Sequence, residues 1–130
     1  GKYYPYARDF VRLTSSGKFA LSREMKGLQL FHRGGIHLHE GDYDGAFQLA
    51  GQSAPLFANP YVRFEALLLM AESQARLGNP AEAGKYAAQA ADLLKNDPWP
   101  QRKIGEFFSG LGQTDTALVY YRRFLELGKD

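Results

Sequence analysis

Apolar side chains recur at intervals of three and four residues along most of the chain, the spacing that gathers one face of an α-helix. Leu67, Met70 and Ala71 share such a face, with Gln74 continuing it, and Ala83, Ala87, Ala90 and Leu94 share another. The residues between these runs predict where each helix starts and stops. A first helix is expected near Tyr4–Leu13, broken by Ser15-Ser16-Gly17. A long helix from about Lys18 to Glu40 follows, then one from Tyr43 to about Ser53, which Pro55 ends. Two further pairs complete the chain: Pro60–Leu77 with Pro80–Leu94, and Pro98–Leu111 with Thr114–Leu127. Asn59-Pro60, Asn79-Pro80 and Asp97-Pro98 each set a capping side chain ahead of proline at the first helical position. Glu82 adds a carboxylate to the first turn of its helix, where the helix dipole favours it.

Three stretches repeat one another: EGDYDGAFQLA from Glu40, LGNPAEAGKYA from Leu77 and LGQTDTALVYY from Leu111. Aligned on Gly41, Gly78 and Gly112, each glycine is followed five residues later by alanine (Ala46, Ala83, Ala117). Each is preceded seven residues earlier by a small residue (Gly34, Ala71, Gly105). The glycines lie 37 and 34 residues apart, so the pattern is a repeat of helix-hairpin size. Glycine at the end of a helix supplies the left-handed conformation that stops it. The flanking small residues fall where two antiparallel helices touch most closely, and a branched side chain there would push them apart.

The period, the Leu-Gly before the turn and the small–Gly–Ala spacing resemble the tetratricopeptide repeat, over roughly residues 27–127. The resemblance implies an all-α fold, a right-handed superhelical stack of antiparallel helix pairs, in a single domain. Residues 1–26 then form an N-terminal capping helix and the start of the first long helix. The repeats occupy about 27–60, 61–97 and 98–130, the first being three residues longer in the Ala54–Asn59 connection. The aromatic usual four residues before the turn glycine is His37 in the first copy and Gln74 in the second, and only Phe108 keeps it.

Composition narrows the chemistry. The 130 residues are 45% hydrophobic and 23% charged, ordinary values for a folded globular chain, and the net charge of +2 is too small to require a nucleic-acid or membrane partner. Residues 1–36 are nevertheless basic, with Lys2, Arg8, Arg12, Lys18, Arg23, Lys26 and Arg33 against Asp9 and Glu24. The absence of cysteine removes disulfides, thiolate metal sites and a Cys nucleophile, and is compatible with either redox compartment. The longest apolar run, Ala66–Ala71, falls far short of the ~20 residues of a membrane span. The chain begins Gly1-Lys2, without an initiator methionine or a signal peptide, as a piece of a longer protein would.

The stretch GGIHLHEGDYDGAF, Gly34 to Phe47, imitates two ion sites. His37 and His39 are two residues apart, about 200° around a helix, so they point to opposite sides. His32 and His39 share a face but stand about 10 Å apart along it, too far for two ~2.0 Å bonds to one ion. Asp42 and Asp44 suggest a calcium loop, yet the twelfth position is Ser53, where such a loop needs Glu. Asp42 is instead expected to cap the helix from Tyr43, and His37 to pack as a hydrogen-bonded residue between helices. No nucleophile elbow, phosphate loop or dinucleotide fingerprint is present, and Glu65, Glu72 and Arg76 have the spacing of ordinary helix-surface ion pairs. No metal, cofactor or catalytic residue is therefore expected. The N-terminal aromatics Tyr3, Tyr4, Tyr6, Phe10 and Phe19, interleaved with basic residues, could stack on single-stranded nucleic acid. The favoured expectation is that Tyr4, Phe10, Val11 and Leu13 pack on the first repeat, with Arg8 and Arg12 solvated and no nucleic-acid partner.

The resemblance implies a non-catalytic interaction domain of a larger bacterial protein, receiving a peptide or a partner's helix on the concave face lined by the first helix of each pair. An accessory domain of an envelope glycan polymerase or transferase, positioning partners or substrate, is the alternative, and cytoplasm and envelope are both compatible. Transferred by position, the concave face comprises Leu28, Phe31, Gly35 and Leu38, then Glu65, Leu68, Glu72 and Arg76, then Trp99, Arg102 and Glu106. The subclass that clamps the C-terminal carboxylate of heat-shock chaperones uses Lys and Asn, whereas Leu28, Phe31 and Gly35 stand at the matching places here. At the other end, Ala117, Tyr121 and Phe124 are expected to face back onto the preceding helix. Leu118 and Leu125 are left as a stripe, a candidate edge for a homo-oligomer or for a following segment.

Overall fold

The computed structural model describes residues 4–18 and 20–129. Lys2, Tyr3, Phe19 and Asp130 lie outside the described residues, as does the side chain of Tyr4. Among the described residues the chain forms α1 (Tyr4–Thr14), α2 (Arg23–His39), α3 (Tyr43–Ser53), a 3-10 turn (Ala54–Leu56), α4 (Pro60–Arg76), α5 (Pro80–Leu93), α6 (Pro98–Gly110) and α7 (Thr114–Leu127). The chain is an all-α solenoid: α2 packs on α3, α4 on α5 and α6 on α7, with α4 also lying against α3.

Three turns of one construction set this arrangement. Gly41, Gly78 and Gly112 take φ of 87°, 83° and 76°, the left-handed conformation that side chains disfavour. In each, the residue after the glycine donates its N–H back to a carbonyl five residues earlier: Asp42 to His37 at 2.8 Å, Asn79 to Gln74 at 2.9 Å and Gln113 to Phe108 at 3.0 Å. These bonds occupy carbonyls that the helix end would otherwise leave unpaired. The partner helices then meet at their small residues. Ala46, Ala71 and Ala83 are fully buried, Ala117 is nearly so, and Gly34 and Gly105 are buried opposite them.

Two cap expectations need correction. The long helix starts at Arg23, not near Lys18, because Ser22 adopts an extended conformation and its hydroxyl accepts the Met25 N–H at 3.2 Å. Asn79 makes no side-chain cap; its amide donates instead to Gln74 Oε1 at 2.9 Å. The other caps are present, Asn59 accepting from Tyr61 N at 2.8 Å and Asp97 from Trp99 N at 3.2 Å. Asp42 accepts the Gly45 N–H at 3.0 Å.

Among the described residues the helix α1 lies across α2, and its backbone comes close to no other helix. Ala7 and Thr14 are buried there, and Phe10 and Tyr6 bring their rings against His32, with centroids 4.9 and 5.4 Å away. Burial among these rings lowers the His32 pKa. Leu13 departs from expectation: it is 58% exposed, because the helix turns Ala7 and Thr14 inward instead. Gln29 ties the end of α1 down, donating to Thr14 Oγ1 and Ser15 Oγ at 3.1 Å each. Phe10 thus packs on α2 and is half-buried.

Adjacent glycines in α2 test the packing. A Cβ at Gly34 would come within 3.3 Å of the Ala46 carbonyl oxygen and 3.2 Å of Leu69, whereas at Gly35 it would meet nothing within 4 Å. Gly35→Ala should gain about 0.5–1 kcal/mol from helix propensity. Gly34→Ala should lose about 1 kcal/mol or more, since α3 must retreat. Urea midpoints of the two variants check the opposite signs.

Candidate functional site

The first helices of consecutive pairs come together differently: α2 approaches α4 closely at a few points along the backbone. No close backbone approach joins α4 to α6, and the gap is bridged by side chains: Phe64 and Leu68 from α4 meet Ile104 and Phe108 from α6 in one core cluster. Above this floor, one line of α4 carries Tyr61, Glu65, Glu72 and Arg76, a spacing of four and seven residues that repeats a face. The facing line of α6 carries Trp99, Lys103 and Glu106. Together they form a strip of half-exposed aromatic and charged groups.

The two lines are cross-linked near one end. The Tyr61 hydroxyl donates to Asp97 Oδ2 at 2.5 Å, and that bond raises the Tyr61 pKa by stabilising its protonated form beside a carboxylate. Asp97 thus caps α6 and holds the start of α4 to it. Trp99 stands over Phe64 with ring centroids 6.0 Å apart and remains 49% exposed, as does Tyr61. The Lys103 ammonium lies 5.0 Å from the Trp99 ring and 3.9 Å from Glu65. Arg102 pairs with Glu106 at 3.1 Å and lies 5.7 Å over the Phe124 ring, on the side facing α7. Arg76, at the other end of α4, lies 5.8 Å over the ring of Tyr43.

Glu72 differs from its neighbours. It sits on the floor between these groups, and burial raises its pKa; Glu65 also raises it, against the opposing pull of Lys103 and, more weakly, Arg76. Among the described residues no hydrogen bond or ion pair holds its carboxylate.

The structure redistributes the sequence-predicted surface. Glu65, Glu72, Arg76 and Trp99 lie on the strip, whereas Arg102, over the Phe124 ring, and its partner Glu106 lie at its α7 edge. Leu68 does not: it is 3% exposed in the core between α4 and α6, because its position on the helix turns it toward α6 and away from solvent. Leu28 packs on Ala54, Phe57 and Ala66, Phe31 bridges that cluster to the next, and Leu38 packs on Ala50, Leu69 and Met70. These three are half-buried. Beside them, a Cβ at Gly35 would meet nothing within 4 Å. The sequence reading missed Tyr61, Lys103 and Tyr43. The signal was present, since Tyr61 stands four residues before Glu65 and Lys103 four after Trp99, which is same-face spacing.

The histidine stretch is a turn. His37 Nδ1 lies 2.7 Å from Asp42 Oδ2, and the Gly45 N–H and then this ring hold the Asp42 carboxyl below its ordinary range. Among the described residues no three His, Cys, Asp or Glu side chains gather as a metal site. Two surface depressions are shallow, each of about 370 Å³; one lies between the end of α5 and α7, lined by Asp92, Lys95 and Arg123.

Glu72 makes a measurable prediction. An acid whose pKa is raised by folding loses stability for the native state as pH rises from its unfolded value through its folded one. Glu72→Gln should therefore raise the melting temperature near neutral pH. That gain should shrink to nothing below the ordinary carboxylate range, where both forms are neutral. Thermal scans from acid to neutral pH check it.

A family model described as tetratricopeptide repeat matches residues 65–96, which span most of α4 and all of α5. No curated protein matches the chain significantly. Among solved structures, one titled MamA MSR-1 C2 is similar at 18% identity and a TM-score of 0.40, over 98% of this chain and 97% of that one, a likeness too slight to bear on function. The matched segment is the middle one of three helix pairs that close on the same glycine turn. The tetratricopeptide-repeat match thus falls on the α4–α5 pair, and the pairs on either side repeat its glycine turn.

Proposed function

We propose that this chain is a non-catalytic protein-interaction domain that receives an extended peptide or a partner's helix on the face lined by α2, α4 and α6. Tetratricopeptide repeats generally bind protein partners and carry out no chemistry. One observation supports this face: Trp99 and Tyr61 remain 49% exposed at the strip's end, although core positions beside them are filled by Phe64 and Ile104. Aromatic side chains of this kind dominate binding energies when a partner covers them. The contact set runs from Tyr61 and Trp99 through Glu65, Lys103 and Glu72 to Arg76, with Arg102 and Glu106 on the rim and Leu28, Phe31 and Leu38 walling the α2 end. In this view residues 1–26 cap the first repeat, and about 27–60, 61–97 and 98–130 are the three repeats of one domain. Among the described residues no helix is long and apolar enough to cross a membrane.

Selection of twelve-residue peptides displayed on phage against the immobilised domain tests the face. Enriched peptides should lose about tenfold or more in affinity for Trp99→Ala, whose melting temperature should stay near wild type. Peptides that bind Trp99→Ala as tightly as wild type would overturn the assignment.

A second contact is favoured by the exposure of Leu118 and Leu125, at 41% and 64%, on the outer side of α7. Ala117 and Tyr120 are buried against α6, with Tyr120 stacked on Phe108 at 5.5 Å, and Tyr121 covers Gly105, so the leucine stripe faces away from the domain. We infer that this edge docks on a second copy. Sedimentation should show a concentration-dependent dimer that Leu118→Glu/Leu125→Glu abolishes; a wild-type monomer at high concentration would exclude it.

A further inference from the structure

The charged groups on the α4–α6 strip are all matched within the domain except one. Glu65 faces Lys103, Arg102 faces Glu106, and Arg76 is drawn over the ring of Tyr43. Glu72 has no such partner among the described residues, although it is mostly out of solvent. Two carboxylates, Glu65 and Glu72, therefore share the ammonium of Lys103, with Arg76 acting on Glu72 more weakly and without an ion pair. A desolvated, unpaired carboxylate disfavours an approaching anion and gains most from a cation that arrives with its own hydrogen-bond donors. The aromatic end of the same strip supplies an apolar platform on Trp99, with Tyr61 fixed beside it by Asp97.

We propose that the strip selects partner segments carrying a lysine or arginine that pairs with Glu72, next to an apolar side chain that lies on Trp99. The proposal rests on the reading of this face as the peptide-binding surface and specifies its ligand chemistry. Glu65 and Glu72 are seven residues apart on α4, about 10 Å along the helix axis, and an extended chain covers that length in about three residues. The basic and apolar side chains of the partner should accordingly be separated by about three or four residues. The choice is opposite to carboxylate capture: a terminal or side-chain carboxylate set on this floor would meet Glu65 and Glu72 together. Arginine suits the site better than lysine, since its planar fork can hold both oxygens of one carboxylate.

The test uses the peptides that the display selection yields. Their enriched positions should include a basic residue three or four places from an apolar one. Replacing that residue by norleucine should weaken binding to wild type about tenfold, but change binding to Glu72→Gln less than about twofold, which measures the pair directly. Affinity for wild type should also fall as pH is lowered toward the carboxylate range, and be flat for Glu72→Gln. Glu72→Gln removes a desolvated charge without changing shape, and its circular dichroism should match wild type. If enriched peptides lack a basic residue, or norleucine costs the same on both proteins, the pairing with Glu72 is wrong, while the face itself stands as long as Trp99→Ala abolishes binding. Peptides insensitive to Trp99→Ala, or no enrichment at all, overturn both.

Discussion

The close approach of two antiparallel helices at small residues is the constraint on which this structure depends. Gly34 admits the carbonyl of Ala46 at a distance where a methyl group would be tight, and Ala71 with Ala83 and Gly105 with Ala117 hold the equivalent places. Once the helices of a pair are drawn this near, each pair becomes a flat slab. The slabs must then be joined by larger side chains. Phe64, Leu68, Ile104, Phe108 and Tyr120 do so between the second and third pairs, and Phe57 with Ala66 does so between the first and second. Gln101, fully buried, adds a polar tie, its amide donating to the Ala91 and Leu94 carbonyls at 3.1 and 3.0 Å and so satisfying the end of α5.

The turns show how one backbone tolerates two kinds of chemistry. In the third repeat the residue four before the glycine is Phe108, which stacks on Tyr120 with rings 10° from parallel. In the first and second repeats that residue is polar, and the residue after the glycine answers it: His37 with Asp42, Gln74 with Asn79. The polar pairs link the last turn of the first helix to the first turn of the second, across the bend. A hydrogen bond therefore replaces a packed ring at the same joint. Asn79 turns its amide nitrogen to Gln74 and makes no cap bond through its oxygen, whereas the two oxygens of Asp42 serve the His37 ring and the Gly45 N–H.

The α4–α6 strip follows from the same geometry. Separating the first helices with large side chains leaves a floor wide enough for long charged residues and narrow enough to strip water from Glu72. Its neighbours find partners along their own helix or directly across: Arg102 reaches Glu106 one turn on, and Lys103 reaches Glu65. Such exposed pairs contribute little to stability. Their consequence is positional, since they fix the side chains that surround Trp99 and leave one carboxylate unmatched.

Helix number, helix ends within a residue or two from α3 onward, the glycine turns and the repeat period were all determined by the sequence alone. Each is a local matter: a left-handed residue, a proline at a helix start, or a small side chain recurring at a fixed interval acts wherever it stands. The caps at Ser22 and Asn79 escaped, because a side chain with two available partners is decided by which comes nearer. The interaction face was legible only in part. Spacing put Glu65, Glu72 and Trp99 on one side of their helices, but it could not separate Leu68 from them. A helix face is about as wide as the gap between neighbouring helices, so a residue on its border is core or surface according to how the next helix leans. The burial of Leu68, the desolvation of Glu72 and the bond from Tyr61 to Asp97 join residues on different helices, and packing between repeats, which no local pattern encodes, decided all three.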